Sequence, residues 1–290
     1  MNVAQENIIH AGLPSKTALR VAMLRAAHQV LDDPVVFDDP FAFRILGPNA
    51  AIVEQDAFQF NDPFSRGLRA ALVARSRFAE EKLAQAVAAG VKQFVVLGAG
   101  LDTFALRNPF KQEGLRVFEV DHPSTQQWKR GLMAEAGIDV PPSLTFAAVD
   151  FEKQTLAEGL RQAGFDASQP AFFSWLGVVV YLTQEAVFDT LRFVTSLPEG
   201  SSIAFDYALA DSLLDGMHRM IRERVRAHVA AEGEPWRSEF VPEALCEEMM
   251  RIGFREVEDL GPPDINTRYF AARKDGLQTS GGFRMMHACK

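Results

Sequence analysis

The stretch Phe94-Val95-Val96-Leu97-Gly98-Ala99-Gly100-Leu101-Asp102-Thr103 sets four strand-forming residues against a glycine turn and a carboxylate. Glycines at such a turn allow positive φ and let a ligand approach the backbone closely. About 20 residues further on, Glu119-Val120-Asp121 places an acid where a carboxylate takes hydrogen bonds from ribose hydroxyls. A third apolar run ends in Asp150-Phe151, an acid for an adenine amino group beside a ring that can pack on the base. Taken alone, an Asp in that place is also an ordinary helix cap. A fourth run carries Ser174-Trp175-Leu176-Gly177. Open parallel sheets bind ligands at the carboxyl ends of their strands, so the four ends together describe a nucleoside site. A dinucleotide fingerprint wants a third glycine where Thr103 stands, and the Asp102 carboxylate would repel a pyrophosphate. The same carboxylate suits a cofactor with a cationic appendage, which favours S-adenosylmethionine over NAD.

Arg75 adds a charge to this set. It lies on the apolar stripe Leu68, Leu72, Ala79, Leu83, Val87 of a long helical stretch. An inward guanidinium needs an anion. That anion is either a carboxylate of the protein or the carboxylate of the cofactor's methionine part, which Arg grips with two hydrogen bonds. Tyr181 and Tyr207 close the fourth and fifth strand-like runs, and each either donates to an acceptor oxygen or serves as a core aromatic. Trp236 and Arg237, between Pro235 and Phe240, form either an apolar pocket wall with an anion-binding corner or a solvated surface. His122 follows Asp121 on the cofactor side, His28 reads as a packed imidazole, and His218 and His228 as solvated ones. No histidine marks itself as a catalytic base.

The whole chain constrains the partners. With 290 residues, 48% hydrophobic content and 23 Phe, it can bury a large core. A net charge of −8 argues against nucleic acid, whose binding depends on clustered Lys and Arg. Cys246 and Cys289 match no metal or disulfide spacing. No apolar run suits a membrane span and the N-terminus has no signal pattern. A cytoplasmic protein acting on a small molecule is the expectation.

The elements that position the site follow from periodicity and caps. Residues 15–31 read as a helix capped by Ser15, and Asp62-Pro63 opens another that ends near Gly90. Strand-like runs at 93–97, 115–121, 144–150, 171–182 and 201–208 alternate with helices at 123–136 and 184–197. This predicts a mostly parallel sheet covered on both faces. A basic helix at 211–231 precedes another opening at Pro242, and strands are expected at 254–260 and 268–273. One domain is expected, with a helical N-terminal lid over 1–60, an α/β core over 61–275, a lid insertion at 209–242 and a polar tail at 276–290. The Arg219, Arg222, Arg224, Arg226 run is expected to be mostly a solvated face.

Five ordered motifs then carry a resemblance: ARSRF (74–78), LGAGLDT (97–103), VFEVDHP (117–123), VDFE (149–152) and WLGVVVYLT (175–183). Over about residues 14–275 the chain resembles the leucine carboxyl methyltransferase-like family of S-adenosylmethionine-dependent O-methyltransferases. The opening KTALRVAMLRAAHQVLDDPVVFDDPFA and the segment GEPWRSEF look like its bacterial branch. The resemblance implies a class I methyltransferase, Rossmann-like fold with seven strands. It implies that Arg75 holds the methionine carboxylate, Gly98 and Gly100 meet the cofactor, Asp121 takes the ribose, and Asp150 and Phe151 frame the adenine. Lys16 matches a basic lid residue over the cofactor. Where the family often has a Glu facing the methionine amino group, this chain has Leu176, so Asp102 or a backbone carbonyl is expected to substitute.

Methyl transfer from a sulfonium is an in-line displacement in which the protein aligns the reactants and excludes water. A carboxylate acceptor needs no base, whereas a phenol with pKa about 10 benefits from one. The lack of an evident base leans towards a carboxylate or a hydroxyl activated by positioning. Two other readings remain at this level: an NAD(P)-dependent oxidoreductase, and an adenosyl-binding module without catalysis.

Overall fold

The computed structural model describes residues 15–151 and 153–290; the first fourteen residues of the expected lid and Glu152 of the VDFE motif lie outside them. The N-terminal layer holds α1 (Lys16–Leu31), α2 (Ala50–Gln55) and α3 (Pro63–Ala88). Ser15 caps α1, its hydroxyl accepting from the Ala18 N–H at 3.1 Å. Asp62 caps α3 by accepting from the Phe64 and Ser65 N–H groups, with Pro63 at the first helical position.

The core then alternates. It runs β1 (Gln93–Leu97), α4 (Phe104–Arg107), β2 (Arg116–Asp121), α5 (Pro123–Glu135), β3 (Leu144–Ala148), α6 (Leu156–Gln162), β4 (Phe172–Trp175), α7 (Gln184–Ser196) and β5 (Ser202–Ala208). It closes with α8 (Gly216–Ala231), α9 (Pro242–Arg251), β6 (Glu256–Leu260), α10 (Pro262–Tyr269) and β7 (Phe283–Cys289). The sheet order is β3-β2-β1-β4-β5-β7-β6, with β7 antiparallel to both neighbours. Val95 pairs with Phe118 on one side and Phe173 on the other, so β1 is central. Because both faces are covered, the central strands read as unbroken apolar runs. One face packs on α6, α7 and α9 through Leu160, Leu191 and Met249; the other packs on α3 through Val73, Phe78 and Leu83. The strand order reverses between β1 and β4, which puts a crevice at their carboxyl ends.

The mostly parallel seven-stranded sheet matches expectation, with three corrections. The run 171–182 is not all strand: β4 stops at Trp175, because Gly177 turns the backbone at φ 73° into a short 3-10 turn at Val179–Tyr181. Residues 268–273 form no strand; Pro262 starts α10 through Tyr269 instead. The polar tail at 276–290 is structural, since it supplies β7, whose Met286 and Ala288 are fully buried between β5 and β6. Its adjacent Met285 and Met286 are both buried, one in each of the two apolar clusters that cover the sheet.

The N-terminal layer hangs on a buried ionic knot. Arg69 of α3 has no exposed surface and binds Asp32 with two donors, Nε at 2.6 Å and Nη2 at 2.9 Å. His28 of α1 meets the same carboxylate through Nδ1 at 2.7 Å, while its Nε2 accepts from the Val36 and Phe37 N–H groups. The imidazole is therefore packed, as expected, and its Nδ1 carries the donated proton. Burial pushes the Asp32 carboxyl up, but the hydrogen bonds from His28 and Arg69 outweigh it and hold the group at about 2. A carboxyl lowered on folding contributes stability above its unfolded value of 3.8, and that contribution is lost as pH falls towards about 2. We expect acid denaturation curves of Asp32→Asn to lack about 2 kcal/mol of pH dependence in this window.

Candidate active site

The glycine turn lies at the crevice. Gly98 and Gly100 have φ of 65° and 49°, values at which a side chain is strained. A Cβ on Gly98 would lie 2.4 Å from a Val178 methyl, so the turn packs directly on the segment after β4. The Gly100 N–H donates to Asp121 Oδ2 at 2.6 Å, and the His122 N–H donates to Oδ1 at 2.7 Å. Burial pushes the Asp121 carboxyl above its ordinary range, against the pull of these two donors. Asp102 accepts from the Phe104 N–H at 2.8 Å and so occupies the start of α4, a helix of only four residues. The helix that directly follows the turn is thus much shorter than the one a pyrophosphate site uses. His122 caps α5, its Nδ1 meeting the Ser124 side chain at 2.7 Å.

Beneath the turn lies an ion pair that the sequence did not single out. Lys129 Nζ donates to Glu119 Oε2 and to the Asp102 carbonyl, both at 2.6 Å, and both side chains are 1% exposed. Glu119 Oε1 is buried without a partner. Burial first, then repulsion from Asp102 and Asp121, pushes the Glu119 carboxyl up to about 7 although Lys129 opposes it. The only signal available was Glu119 inside the otherwise apolar run of β2; Lys129 lies in a polar stretch of α5 and gives none. The turn is also held from above. Asp39 accepts from the Thr103 hydroxyl at 2.7 Å and pairs with Arg25 at 2.8 Å, while Arg25 donates to the Leu101 carbonyl at 2.6 Å.

Across the crevice, Arg75 has an internal partner. Its Nη1 binds Asp206 Oδ2 at 2.9 Å, and Asp206 Oδ1 accepts from the Gly177 N–H at 2.6 Å. A Cβ on Gly177 would stand 2.7 Å from the guanidinium, so glycine lets the β4 turn press on Arg75. Of the two anions considered for Arg75, the protein's own carboxylate is thus present, and the arginine keeps 13% of its side chain open. Asp206 was not anticipated; its signal was one acid inside the apolar run of β5. The Tyr181 hydroxyl lies among the Thr17 hydroxyl, the Trp236 indole, the Glu234 carboxylate and Arg75, and burial raises its pKa. The Trp236 N–H is buried and meets no acceptor at hydrogen-bonding geometry.

The remaining expected residues divide. Lys16 is exposed in the first turn of α1. Asp150 is half-buried at the end of β3 and pairs with Lys153 at 2.6 Å, while Phe151 is 64% exposed beside it. Ser174 is buried within β4. Trp175, expected at the cofactor, points to the opposite face and packs in the core 6.4 Å from the Phe205 ring. Tyr207, expected as a donor to the acceptor, is fully buried and gives its proton to Asp259 at 3.0 Å, next to Arg284. Strand alternation put these two rings on the wrong side of the sheet. Trp236 packs edge-on against Phe283 at 5.4 Å. Arg237 is exposed, and its backbone N–H donates to the Val180 carbonyl at 2.6 Å. The basic helix α8 is mostly exposed, as expected, Arg219 and Arg224 included, but two of its arginines are tied down. Arg222 is buried against Asp211 and the Gly282 carbonyl, and Arg226 bridges Asp211 and Glu239.

This crevice agrees with what the chain is similar to. Residues 18–195 match the model of the leucine carboxyl methyltransferase family. The chain belongs to that family. It is 34% identical to "Putative S-adenosyl-L-methionine-dependent methyltransferase YktD" of Bacillus subtilis strain 168, over 95% of this chain and 98% of that protein. A relative from Saccharopolyspora erythraea is 37% identical over 69% of this chain and 70% of its own length. Among solved structures, a DUF574 family protein from Streptomyces avermitilis aligns with TM-score 0.53 and 20% identity, covering 93% of this chain and 96% of its own. A protein from Thermobifida fusca, described as a putative methyltransferase, aligns with TM-score 0.54 and 18% identity, covering 96% of both chains. These structures share the α/β class I methyltransferase fold.

Two outcomes follow from the ionic contacts. Arg75→Met strands the buried Asp206 carboxylate, so the ligand-free protein should lose about 3–5 kcal/mol in urea denaturation. Glu119 protonates more readily folded than unfolded, so its contribution to stability falls as pH rises from its ordinary value of 4.5 through about 7. Glu119→Gln should flatten that slope in melting temperatures taken across this window.

Proposed function

We propose that the protein is an S-adenosylmethionine-dependent O-methyltransferase that moves a methyl group to a carboxylate or hydroxyl of a small molecule. The observation that carries this reading is the closure of the Gly100 amide on the Asp121 carboxylate at the β1/β4 crevice. It sets an acid beside a glycine turn whose following helix has only four residues. The residues present fit a nucleoside with a cationic end: glycines where a Cβ would clash, an acid after β2, and an exposed ring after β3.

The cofactor supplies an electrophilic methyl group on a sulfonium. Gly98 and Gly100 bring backbone against it, Asp121 accepts from the ribose hydroxyls, and Asp150 with Phe151 frames the adenine. Arg75, steadied by Asp206, turns its remaining donors to the methionine carboxylate, and Lys16 closes from α1. Tyr181 stays protonated at neutral pH, because burial raises its pKa, and it orients an acceptor oxygen as a donor. No general base is assigned, which suits an acceptor already ionised or activated by position. The segment 209–242 lines the acceptor side, and Trp236 presents an apolar wall there.

Calorimetry should give binding of S-adenosylhomocysteine and none of NAD; tight NAD binding would return the oxidoreductase reading. Asp121→Ala should cost about 1–3 kcal/mol of cofactor affinity. Labelled methyl transfer over a panel of carboxylic acids and phenols then tests the acceptor class, and binding without any transfer would return the adenosyl-binding module.

A further inference from the structure

The amino-acid end of the cofactor carries one positive and one negative charge. Arg75 offers a cation for the carboxylate, but the end of β4 offers no acid for the ammonium: Ser174, Trp175, Leu176 and Gly177 stand there. The other acids around the crevice are committed. Asp206 holds Arg75, Glu119 holds Lys129, Asp39 holds Arg25 and Thr103, Asp102 accepts from the Phe104 N–H, and Asp121 takes two backbone amides.

Glu234, like Asp102 and Asp121, has no cation beside it among the described residues, but it is held by a side-chain hydroxyl rather than by backbone amides. It follows α8, is 4% exposed, and its Oε2 accepts from the Thr17 hydroxyl. Among the described residues, no Lys, Arg or His nitrogen lies within 4 Å of its carboxylate. A buried carboxylate held only by a neutral hydroxyl is costly until a cation joins it. Its place is fixed on three sides. Its own N–H donates to the Val229 carbonyl at 2.9 Å, and Arg237 and Ser238 tie the segment to Val180 and Val179. Its partner Thr17 precedes Ala18, whose methyl lies 3.2 Å from where a Gly100 Cβ would stand. Both Glu234 and Arg75 act on the Tyr181 hydroxyl, so the two opposite charges sit around one group.

We propose that Glu234 is the counter-ion of the cofactor's ammonium, delivered from the segment after α8 and completing, with Arg75, a binding site for a zwitterion. The proposal rests on the S-adenosylmethionine reading above. It makes the region after α8 part of the cofactor site, so that cofactor binding and acceptor-side closure share one residue.

The test is calorimetry on the full chain with three ligands: S-adenosylhomocysteine, its deaminated analogue that keeps the carboxylate, and methylthioadenosine, which lacks the amino-acid part. If the wild type binds none of them, the functional reading fails, independently of Glu234. If it binds, Glu234→Gln should weaken S-adenosylhomocysteine on the order of 10–100-fold and leave the deaminated analogue and methylthioadenosine unchanged. Equal losses for all three ligands, or no loss for S-adenosylhomocysteine, would overturn the assignment. So would loss of methyl transfer with S-adenosylhomocysteine affinity intact, which would place Glu234 at the acceptor. Should Glu234→Gln not fold, Glu234→Asp answers the same question: the charge remains but sits one methylene further back, and the selective loss must persist in reduced form.

Discussion

Glycines have no side chains with which to fix a turn, so their backbone needs partners from elsewhere. The turn at Gly98–Asp102 is shaped by charges that reach its backbone from three directions. Asp121 takes the Gly100 amide, Lys129 takes the Asp102 carbonyl from below, and Arg25 takes the Leu101 carbonyl from above. The two cations are themselves buried and are balanced by acids that recruit the rest of the architecture. Glu119 on β2 balances Lys129 on α5, and Asp39 in the N-terminal layer balances Arg25 on α1. The helical layer over the sheet is thus fastened to the turn electrostatically as well as through the apolar cluster of Ala26, Leu46, Leu101 and Leu132.

The same rule governs the far side of the crevice. Asp206 ties Arg75 of α3 to the Gly177 amide after β4, and the chain leaves the sheet at that point. Buried ion pairs of this kind add little net stability compared with apolar packing, but removing one partner is severe. They therefore act as positional constraints on the segments they join. Glu234 is buried with a hydroxyl and no cation beside it among the described residues.

Much of this was legible in order along the chain. Caps and prolines bounded α1 and α3, apolar runs ending in glycine or acid marked β1 to β3, and the five motifs pointed to the family. The sequence also showed that Arg75 faces inward. It did not show which anion faces it, because Asp206 is 131 residues away and sits in a strand whose other residues are apolar. Trp175 and Tyr207 were misplaced for a related reason. A strand sends successive side chains to opposite faces, and the face that meets the crevice is settled only when the neighbouring helices are in place.

The tail shows the limit most directly. Residues 276–290 have the composition of a terminus, yet β7 completes the sheet between β5 and β6. An antiparallel insertion of this kind depends on the edge left open by β5, which no local pattern reports. Local chemistry determined the elements, the turn and the class of ligand, since propensity, capping and glycine conformation act within a few residues. Only the tertiary structure decided which charges are paired, because a pairing is a contact between distant residues and its energy exists only after both have been buried together.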